Sequence, residues 1–215
     1  SSKKESRIAA EGLCQIKVEG NNAVMVEVNS ETDFVAKNEE FTGFVSYLVD
    51  EILKNDVKSV DDVLAIKDKD ETIGDKLVAL TAKIGEKISF RRFEKVSKKD
   101  DEIFGTYLHL GGKIGTILVI KGNKEEVAKD VAMQAAAMNP IALNRDQVPT
   151  EIVEHEKEMI KAEMKNDPKN ESKPEEILDK MAVGKLGKFF KENCLVEQDF
   201  IKDSGMTVEK YAKDN

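Results

Sequence analysis

An acidic residue and a large aromatic residue, Asp33 and Phe34, stand side by side where a predicted strand ends. The segment Val26–Val28 alternates apolar and polar side chains, as a half-buried strand does. Residues 29–32 are Asn, Ser, Glu and Thr, which favour turns and helix caps. An ordinary connection needs no large aromatic residue at such a corner. The pair could therefore present a carboxylate and an apolar ring to another molecule.

The same two residues also have a purely structural interpretation. Ser30 and Asp33 have the spacing of a capping box, so Asp33 could cap the helix that follows. Phe34 could pack into the protein's own core. On the residues alone, this interpretation and a role in binding a partner both stay open.

Motifs of enzymes are missing from the sequence. The glycine and lysine at 112–113 lack the upstream glycine of a P-loop, because Tyr107 stands there, and Ile114 replaces the Ser or Thr that would hold Mg²⁺. His109 and His155 fit no zinc-binding or triad spacing, and we expect them on a strand face and a helix surface. We therefore expect no catalytic residue, no metal site and no cofactor.

The composition is that of a helix-rich globular protein. The 215 residues are 40% hydrophobic and 35% charged, which suffices for one or two domains with a substantial core. The net charge of -8 argues against a nucleic acid as the main partner, because phosphate binding relies on clustered Lys and Arg. Lysine pairs such as Lys98-Lys99 are flanked by acidic residues and are expected on a solvated face.

Cysteine usage and hydropathy bear on the cellular location. Cys14 and Cys194 form no disulfide framework and no CxxC motif, so both are expected to be small buried hydrophobes in a reducing compartment. No apolar run approaches the roughly 20 residues of a membrane span. Residues 1–6 lack the apolar segment of a signal peptide and a starting methionine. We expect a piece of a longer chain, located in the cytoplasm.

The first hundred residues predict an α+β unit. A Gly- and Asn-rich turn joins two strands, Gly12–Val18 and Ala23–Val28. Apolar residues from Phe41 to Leu53 recur at helical spacing, and Asn38 is suited to cap that helix. The other predicted elements are helices near Val60–Ile66 and Asp75–Ile84 and a strand over Ile88–Val96.

The second half repeats the order strand, turn, strand, helix after a charged turn at 97–101. Its elements are strands over Gly105–Leu110 and Lys113–Ile120 and a helix over Lys124–Met138, which ends before Pro140. The fold class is therefore α+β, with two related subdomains, 1–100 and 101–215. Each has a small antiparallel sheet covered by helices.

A helical hairpin is predicted at about 150–191, from helical patterns over Thr150–Lys165 and Ser172–Lys191. Ser172 and Glu175 have capping-box spacing, with Pro174 in the first turn. Beyond the hairpin we expect an extended segment over Cys194–Ile201 and a short helix over Thr207–Lys213.

The segment TDFVAKNE, from Thr32 to Glu39, resembles the signature of the elongation factor Ts family. Three later segments follow in the order of that family: GGKIGTILVI, VAKDVAMQAAAMNP and MAVGKLGKFFKENCLVEQDF. The resemblance implies a nucleotide exchange factor that promotes GDP release from the translation GTPase elongation factor Tu. It implies no enzymatic activity, no cofactor, no membrane and no nucleic acid as direct partner.

The resemblance also assigns a binding site. In the family the TDFV stretch, here Thr32, Asp33, Phe34 and Val35, reaches towards the magnesium and nucleotide site of the partner. Phe34 would enter a pocket of the GTPase. Asp33 would bring a carboxylate near Mg²⁺ without being a lasting ligand.

A second set of contacts is implied by two further segments. Ile114 and Gly115 lie in a strand region that faces the GTPase domain in the family, and Gly115 would let another backbone approach closely. The alternative is a glycine at a bulge of a buried strand. Met133 and Gln134 stand where many members carry Met-His; Gln134 keeps hydrogen-bonding capacity but cannot titrate. Met133 could equally pack in the core.

Two departures from the family pattern concern the ends of the chain. The N-terminal helical domain of the family has no counterpart, and neither has its terminal segment after Tyr211. We interpret the chain as the core of such a factor. Two other functions stay open: a self-association module that forms a homodimer, and a small-molecule enzyme of unrecognised type. Neither accounts for the TDFVAKNEEF segment.

Overall fold

The computed structural model describes residues 7–215, which form two compact units divided between Ala136 and Ala137. The α+β class with small antiparallel sheets is confirmed. The observed division falls later than the charged turn at 97–101. This division reflects which residues contact each other and says nothing about internal duplication. The two related subdomains, 1–100 and 101–215, therefore stay a prediction.

The elements follow the predicted order closely. The strands of the first unit are β1 (Glu11–Glu19), β2 (Asn22–Ser30), β3 (Lys67–Asp68), β4 (Glu71–Thr72), β5 (Ser89–Ser97), β6 (Glu102–His109) and β7 (Ile114–Lys121). Its helices are α1 (Asp33–Ala36), α2 (Glu39–Lys54), α3 (Val60–Leu64) and α4 (Ile73–Ile84). Helix α5 (Glu125–Met138) contains the division between the units near its C-terminal end. The later elements are α6 (Thr150–Lys165), α7 (Glu175–Asn193), β8 (Asp199–Phe200), β9 (Asp203–Thr207) and α8 (Val208–Asp214).

The core of the first unit lies between a three-stranded sheet and α2. Antiparallel strands stand in the order β1–β2–β5, and alternate residues of the central strand, Val24, Val26 and Val28, are completely buried. The apolar stripe of α2 is buried in the same cluster, from Phe41 to Ile52. Asn38 caps this helix, because its side chain accepts hydrogen bonds from the amides of Glu40 and Phe41. The helix and its cap are therefore confirmed.

The β6–β7 hairpin packs closely because it has glycines at its contact points. A Cβ added to Gly105 would lie 2.2 Å from the carbonyl oxygen of Ala128 on α5. A Cβ on Gly115 would lie 2.6 Å from the sulfur of Met25 on β2. The α5 backbone requires glycine at 105, whereas a side chain at 115 would displace the flexible Met25 side chain. The hairpin thus contacts a helix at one position and the sheet at another.

The second unit contains the expected helical hairpin. Ile160 and Met164 of α6 are buried together with Leu178, Ala182 and Leu186 of α7. Its turn is closed by Asn170, whose side-chain amide donates to the carbonyl of Met164. Near the end of the chain Phe200 stacks on Tyr211, with ring centroids 4.1 Å apart.

Two local predictions in this unit were wrong. Helix α7 begins at Glu175 with Pro174 as its N-cap and without a side-chain cap, because proline disfavours a helical conformation in the residue before it. Ser172 is therefore outside the helix. The prediction of extended chain over Cys194–Ile201 holds for strand β8 at Asp199–Phe200 but fails at Leu195–Glu197, which form a 3-10 turn. Hydrogen bonds from the Leu195 amide to the Ala142 carbonyl and from Gln198 to Cys194 hold that turn.

The cysteines behave as small apolar residues. Cys14 and Cys194 are both free and buried, and burial raises the pKa of both thiols. Within residues 7–215, no helix is long and apolar enough to cross a membrane.

The capping box of α4 predicts a pH effect on stability. The Asp75 carboxylate accepts a hydrogen bond from the Thr72 amide, and the Asp75 amide donates to the Thr72 hydroxyl. The bond from the Thr72 amide lowers the pKa of the Asp75 carboxyl group. The carboxylate therefore stabilises the folded state above the unfolded pKa of about 4, and this contribution is lost as pH falls through the lower folded pKa. In urea unfolding between pH 6 and 3, Asp75→Asn should lose less stability on acidification than the unsubstituted chain. An equal loss contradicts this role.

Replacing glycine by alanine should have opposite effects on the free energy of unfolding at two positions. Gly105→Ala should lower the free energy of unfolding by about 1–3 kcal/mol, because its methyl group overlaps the α5 backbone. Gly43→Ala, at an exposed position of α2 with open space around it, should raise that free energy by up to about 1 kcal/mol. Urea denaturation measures both. Equal shifts would contradict the packing of the hairpin on α5.

Candidate partner-binding site

The segment between β2 and α2 makes a projecting corner. Its helix α1 has four residues, and Thr32 is the N-cap with an extended backbone. The turn is closed by hydrogen bonds from the Lys37 amide to the Phe34 carbonyl and from the Asn38 amide to the Val35 carbonyl. One helical turn thus separates the central strand from the longest helix of this unit.

The predicted capping box at this corner was wrong. The Ser30 hydroxyl donates to the carbonyl of Thr32, over 2.8 Å, instead of capping the helix. Helix α1 has no side-chain cap. The Asp33 carboxylate is exposed and makes no hydrogen bond or ion pair with residues 7–215. This leaves its charge available to another molecule.

Phe34 does not belong to the core. Its side chain is 83% exposed, although a phenylalanine normally gains stability from burial. The next residue, Val35, is buried in the cluster that holds the β2 valines and Phe41. The four predicted residues therefore divide into two pairs. Asp33 and Phe34 project into solvent, while Thr32 and Val35 attach the corner to the fold.

Glu86 holds this corner from the loop between α4 and β5. Its carboxylate accepts from the Thr32 amide at 3.0 Å and from the Thr32 hydroxyl at 2.7 Å. A third bond runs in the opposite direction, since the Glu31 carboxylate accepts from the amide of Lys87 at 2.7 Å. We name these three bonds the Glu86 clamp. Sequence reasoning missed Glu86, which lies 54 residues from Thr32 and carries no local signal of the contact.

The second set of predicted residues lies at and behind the tip of the β6–β7 hairpin. Ile114 is 40% exposed, and Leu108 and Leu110 are also exposed there. Leu110 has a φ of 53°, which is unfavourable for a leucine. These three exposed residues mark the end of the hairpin, which we call the hairpin tip. Leu108 pairs with Gly115 and Ile114 with His109, so the Leu108 and Ile114 side chains lie on opposite faces of the hairpin. Sequence reasoning had singled out Ile114 but not the two leucines.

Gly115, Met133 and Gln134 do not share that exposed surface. Gly115 pairs with Leu108 in an unbroken register, so it marks no bulge, and the close neighbour that it permits is Met25 of this same chain. Met133 is half-buried. Gln134 is completely buried, so its side chain cannot touch a partner in this conformation. The Gln134 amide, which the resemblance places at the partner surface, thus lies inside the unit in this structure.

The chemistry available at the corner is that of binding. In the part of the chain that the structure describes, no group of three or more His, Cys, Asp or Glu side chains is placed to hold a metal ion. His109 is half-buried at the end of β6, and His155 is exposed on α6. The corner offers a carboxylate next to an aromatic ring, both held on a fixed backbone.

Comparison with known proteins decides the family. A family model described as Elongation factor TS matches residues 31–215, from the corner to the end of the chain. The chain belongs to the elongation factor Ts family. It is therefore a translation elongation factor, with a role in protein biosynthesis.

Curated relatives agree with this assignment over almost the whole chain. Elongation factor Ts of Limosilactobacillus reuteri (strain DSM 20016) is 46% identical over 211 residues, which are 98% of this chain and 71% of that relative. Elongation factor Ts of Pediococcus pentosaceus is 44% identical over the same shares. That of Limosilactobacillus fermentum is 47% identical, again over 98% of this chain and 71% of the relative.

The exposure of Phe34 predicts a small effect on stability. Phe34→Ala should change the free energy of unfolding by no more than about 0.5 kcal/mol, because the ring has few contacts to lose. The matched control Phe41→Ala removes a completely buried ring and should cost about 3–5 kcal/mol. Urea denaturation of both variants measures the difference. A large loss in Phe34→Ala would restore the core interpretation.

Proposed function

We propose that the chain is a guanine nucleotide exchange factor for elongation factor Tu and promotes the release of GDP. The observation that carries this proposal is the exposed Phe34 beside Asp33 on an anchored corner. Membership of the elongation factor Ts family supports elongation factor Tu as the partner. We place the activity in the cytoplasm and assign it no cofactor and no direct contact with nucleic acid.

Exchange needs no catalytic group on this chain. A factor that binds the nucleotide-free GTPase more tightly than the GDP-bound form must weaken GDP binding by the same factor. Burying one phenylalanine contributes about 1.5–3 kcal/mol. If Phe34 enters its pocket only when the nucleotide site is distorted, this energy corresponds to roughly ten- to a hundredfold weaker GDP binding.

Asp33 acts in the same direction by electrostatics. A carboxylate brought near bound phosphates repels them, and near Mg²⁺ it competes with the groups that hold the ion. Because Asp33 has no partner among residues 7–215, it need not break an ion pair to do so. Thr32 and Val35 contribute by attaching the corner to the fold.

The hairpin tip is the proposed second contact. Ile114, which is 40% exposed, is assigned to the contact with the GTPase, and Leu108 and Leu110 are exposed at the same end of the hairpin. Gly115, which lies close to Met25 of this chain, and the half-buried Met133 belong to the proposed second contact. A contact of the partner with Gln134, which is completely buried on α5, stays a prediction.

The two other functions considered from the sequence remain predictions. Self-association as a homodimer is compatible with exchange, and sedimentation with and without elongation factor Tu separates the two. A small-molecule enzyme would be recognised by a metabolite that raises its melting temperature. The projecting corner supports neither function specifically.

Release of a fluorescent GDP analogue from elongation factor Tu tests the proposal. With excess unlabelled GDP present, the chain should accelerate release, and Phe34→Ala should reduce that acceleration by roughly ten- to a hundredfold. Adding Asp33→Ala should reduce it further. Val18→Ala is a matched control, since Val18 is also an exposed apolar residue but pairs with Ala23, at the other end of the β1–β2 ladder from Ser30 and the corner.

The outcomes are distinct. Acceleration that depends on Phe34 and not on Val18 supports the proposal. An unsubstituted chain that neither accelerates release nor forms a complex with nucleotide-free elongation factor Tu overturns it. Acceleration that survives the double substitution Asp33→Ala, Phe34→Ala overturns the role of the corner.

A further inference from the structure

The Glu86 clamp joins two loops that are distant in sequence. Glu86 follows Gly85, whose φ of 85° ends α4 in a left-handed conformation that favours glycine. This reversal directs Glu86 to Thr32, where one carboxylate accepts both the amide and the hydroxyl. In return, the Lys87 amide in the loop after α4 donates to the Glu31 carboxylate in the loop after β2. The two loops therefore hold each other through backbone amides.

Helix α1 needs such support to keep one conformation. It has only four residues, and a single helical turn is not stable by itself in water. Val35 anchors one side of the turn in the core. The other side, with Asp33 and Phe34, faces solvent, so nothing on that side holds the turn. Glu86 supplies the missing constraint at the first residue before the helix.

We propose that Glu86 is a positioning residue for exchange, which presents Phe34 to the partner in a ready-made geometry. This inference rests on the proposed function. A corner that is ordered before binding loses little conformational entropy when it binds, and its affinity for the partner is therefore higher. Glu86 bonds Thr32, so the effect proposed for it on exchange runs through the projecting residues.

A double-mutant cycle with Phe34 distinguishes positioning from general stability. Glu86→Ala should lower the rate of GDP release at subsaturating factor by about three- to tenfold, the equivalent of ordering one or two side chains on binding. In a chain that already carries Phe34→Ala, the same substitution should have little further effect. A residue that only stabilises the fold would lower the rate by the same factor in both backgrounds.

Asp62→Ala is the matched control. Asp62 also accepts two hydrogen bonds, from the amides of Lys58 and Ser59, and belongs to the same compact unit, but it caps α3 and is remote from the corner in the chain. Both substitutions remove a carboxylate that accepts two hydrogen bonds, at least one of them from a backbone amide. We expect comparable losses in urea denaturation but a loss of exchange only for Glu86→Ala. Equal losses of exchange overturn the inference.

Thr32 provides a conservative pair. Thr32→Ser keeps the hydroxyl that donates to Glu86 and should retain nearly full exchange, whereas Thr32→Val removes that donor and should lose about threefold. Hydrogen exchange provides a readout without the partner. In Glu86→Ala, protection should fall at the amides of Lys37 and Asn38, which close the α1 turn, and remain unchanged in β2.

The results separate this inference from the proposed function. If the unsubstituted chain accelerates release and Phe34→Ala abolishes it, the proposed function stands, and an unchanged Glu86→Ala overturns positioning alone. If the unsubstituted chain gives no acceleration, the proposed function fails and positioning for exchange fails with it. Unchanged protection of the corner amides in Glu86→Ala also overturns the inference.

Discussion

The burial of β2 against α2 is the contact on which the rest of the first unit depends. Val24, Val26 and Val28 of the central strand are completely buried, and Phe41 and the rest of the α2 stripe lie in the same cluster. Because burial holds both elements, the short segment between them has two fixed ends. It must turn sharply, and the two residues at its outer side face solvent. The projection of Phe34 is thus a consequence of core packing elsewhere.

A binding surface made in this way combines rigidity with exposure. An exposed phenylalanine on a mobile loop would lose conformational freedom on binding, and much of its burial energy would be offset. Here the backbone on both sides of Phe34 is bonded, at Thr32 through Glu86 and at Lys37 and Asn38 through the turn itself. Under the proposed function, the aromatic ring therefore contributes most of its burial energy to the partner.

Most elements could be predicted from local patterns. The α2 stripe, its Asn38 cap, the strand pairs and the ends of α6 all follow from periodicity and cap chemistry within a few neighbouring residues. Local patterns failed where two local options competed. Ser30 had capping-box spacing, yet its hydroxyl bonds the Thr32 carbonyl, because Thr32 is itself held by Glu86. Pro174 likewise moved the start of α7 past Ser172.

By itself the sequence determined the order of the elements, the likeness to the elongation factor Ts family and the identity of the corner residues. Only the tertiary structure decided which of those residues are accessible. The exposure of Phe34, the burial of Gln134 and the contact of Gly115 with Met25 depend on segments far apart in the chain. Periodicity describes one element at a time, whereas exposure is set by what other elements cover. For the same reason Glu86, 54 residues from Thr32, could be found only in the folded chain.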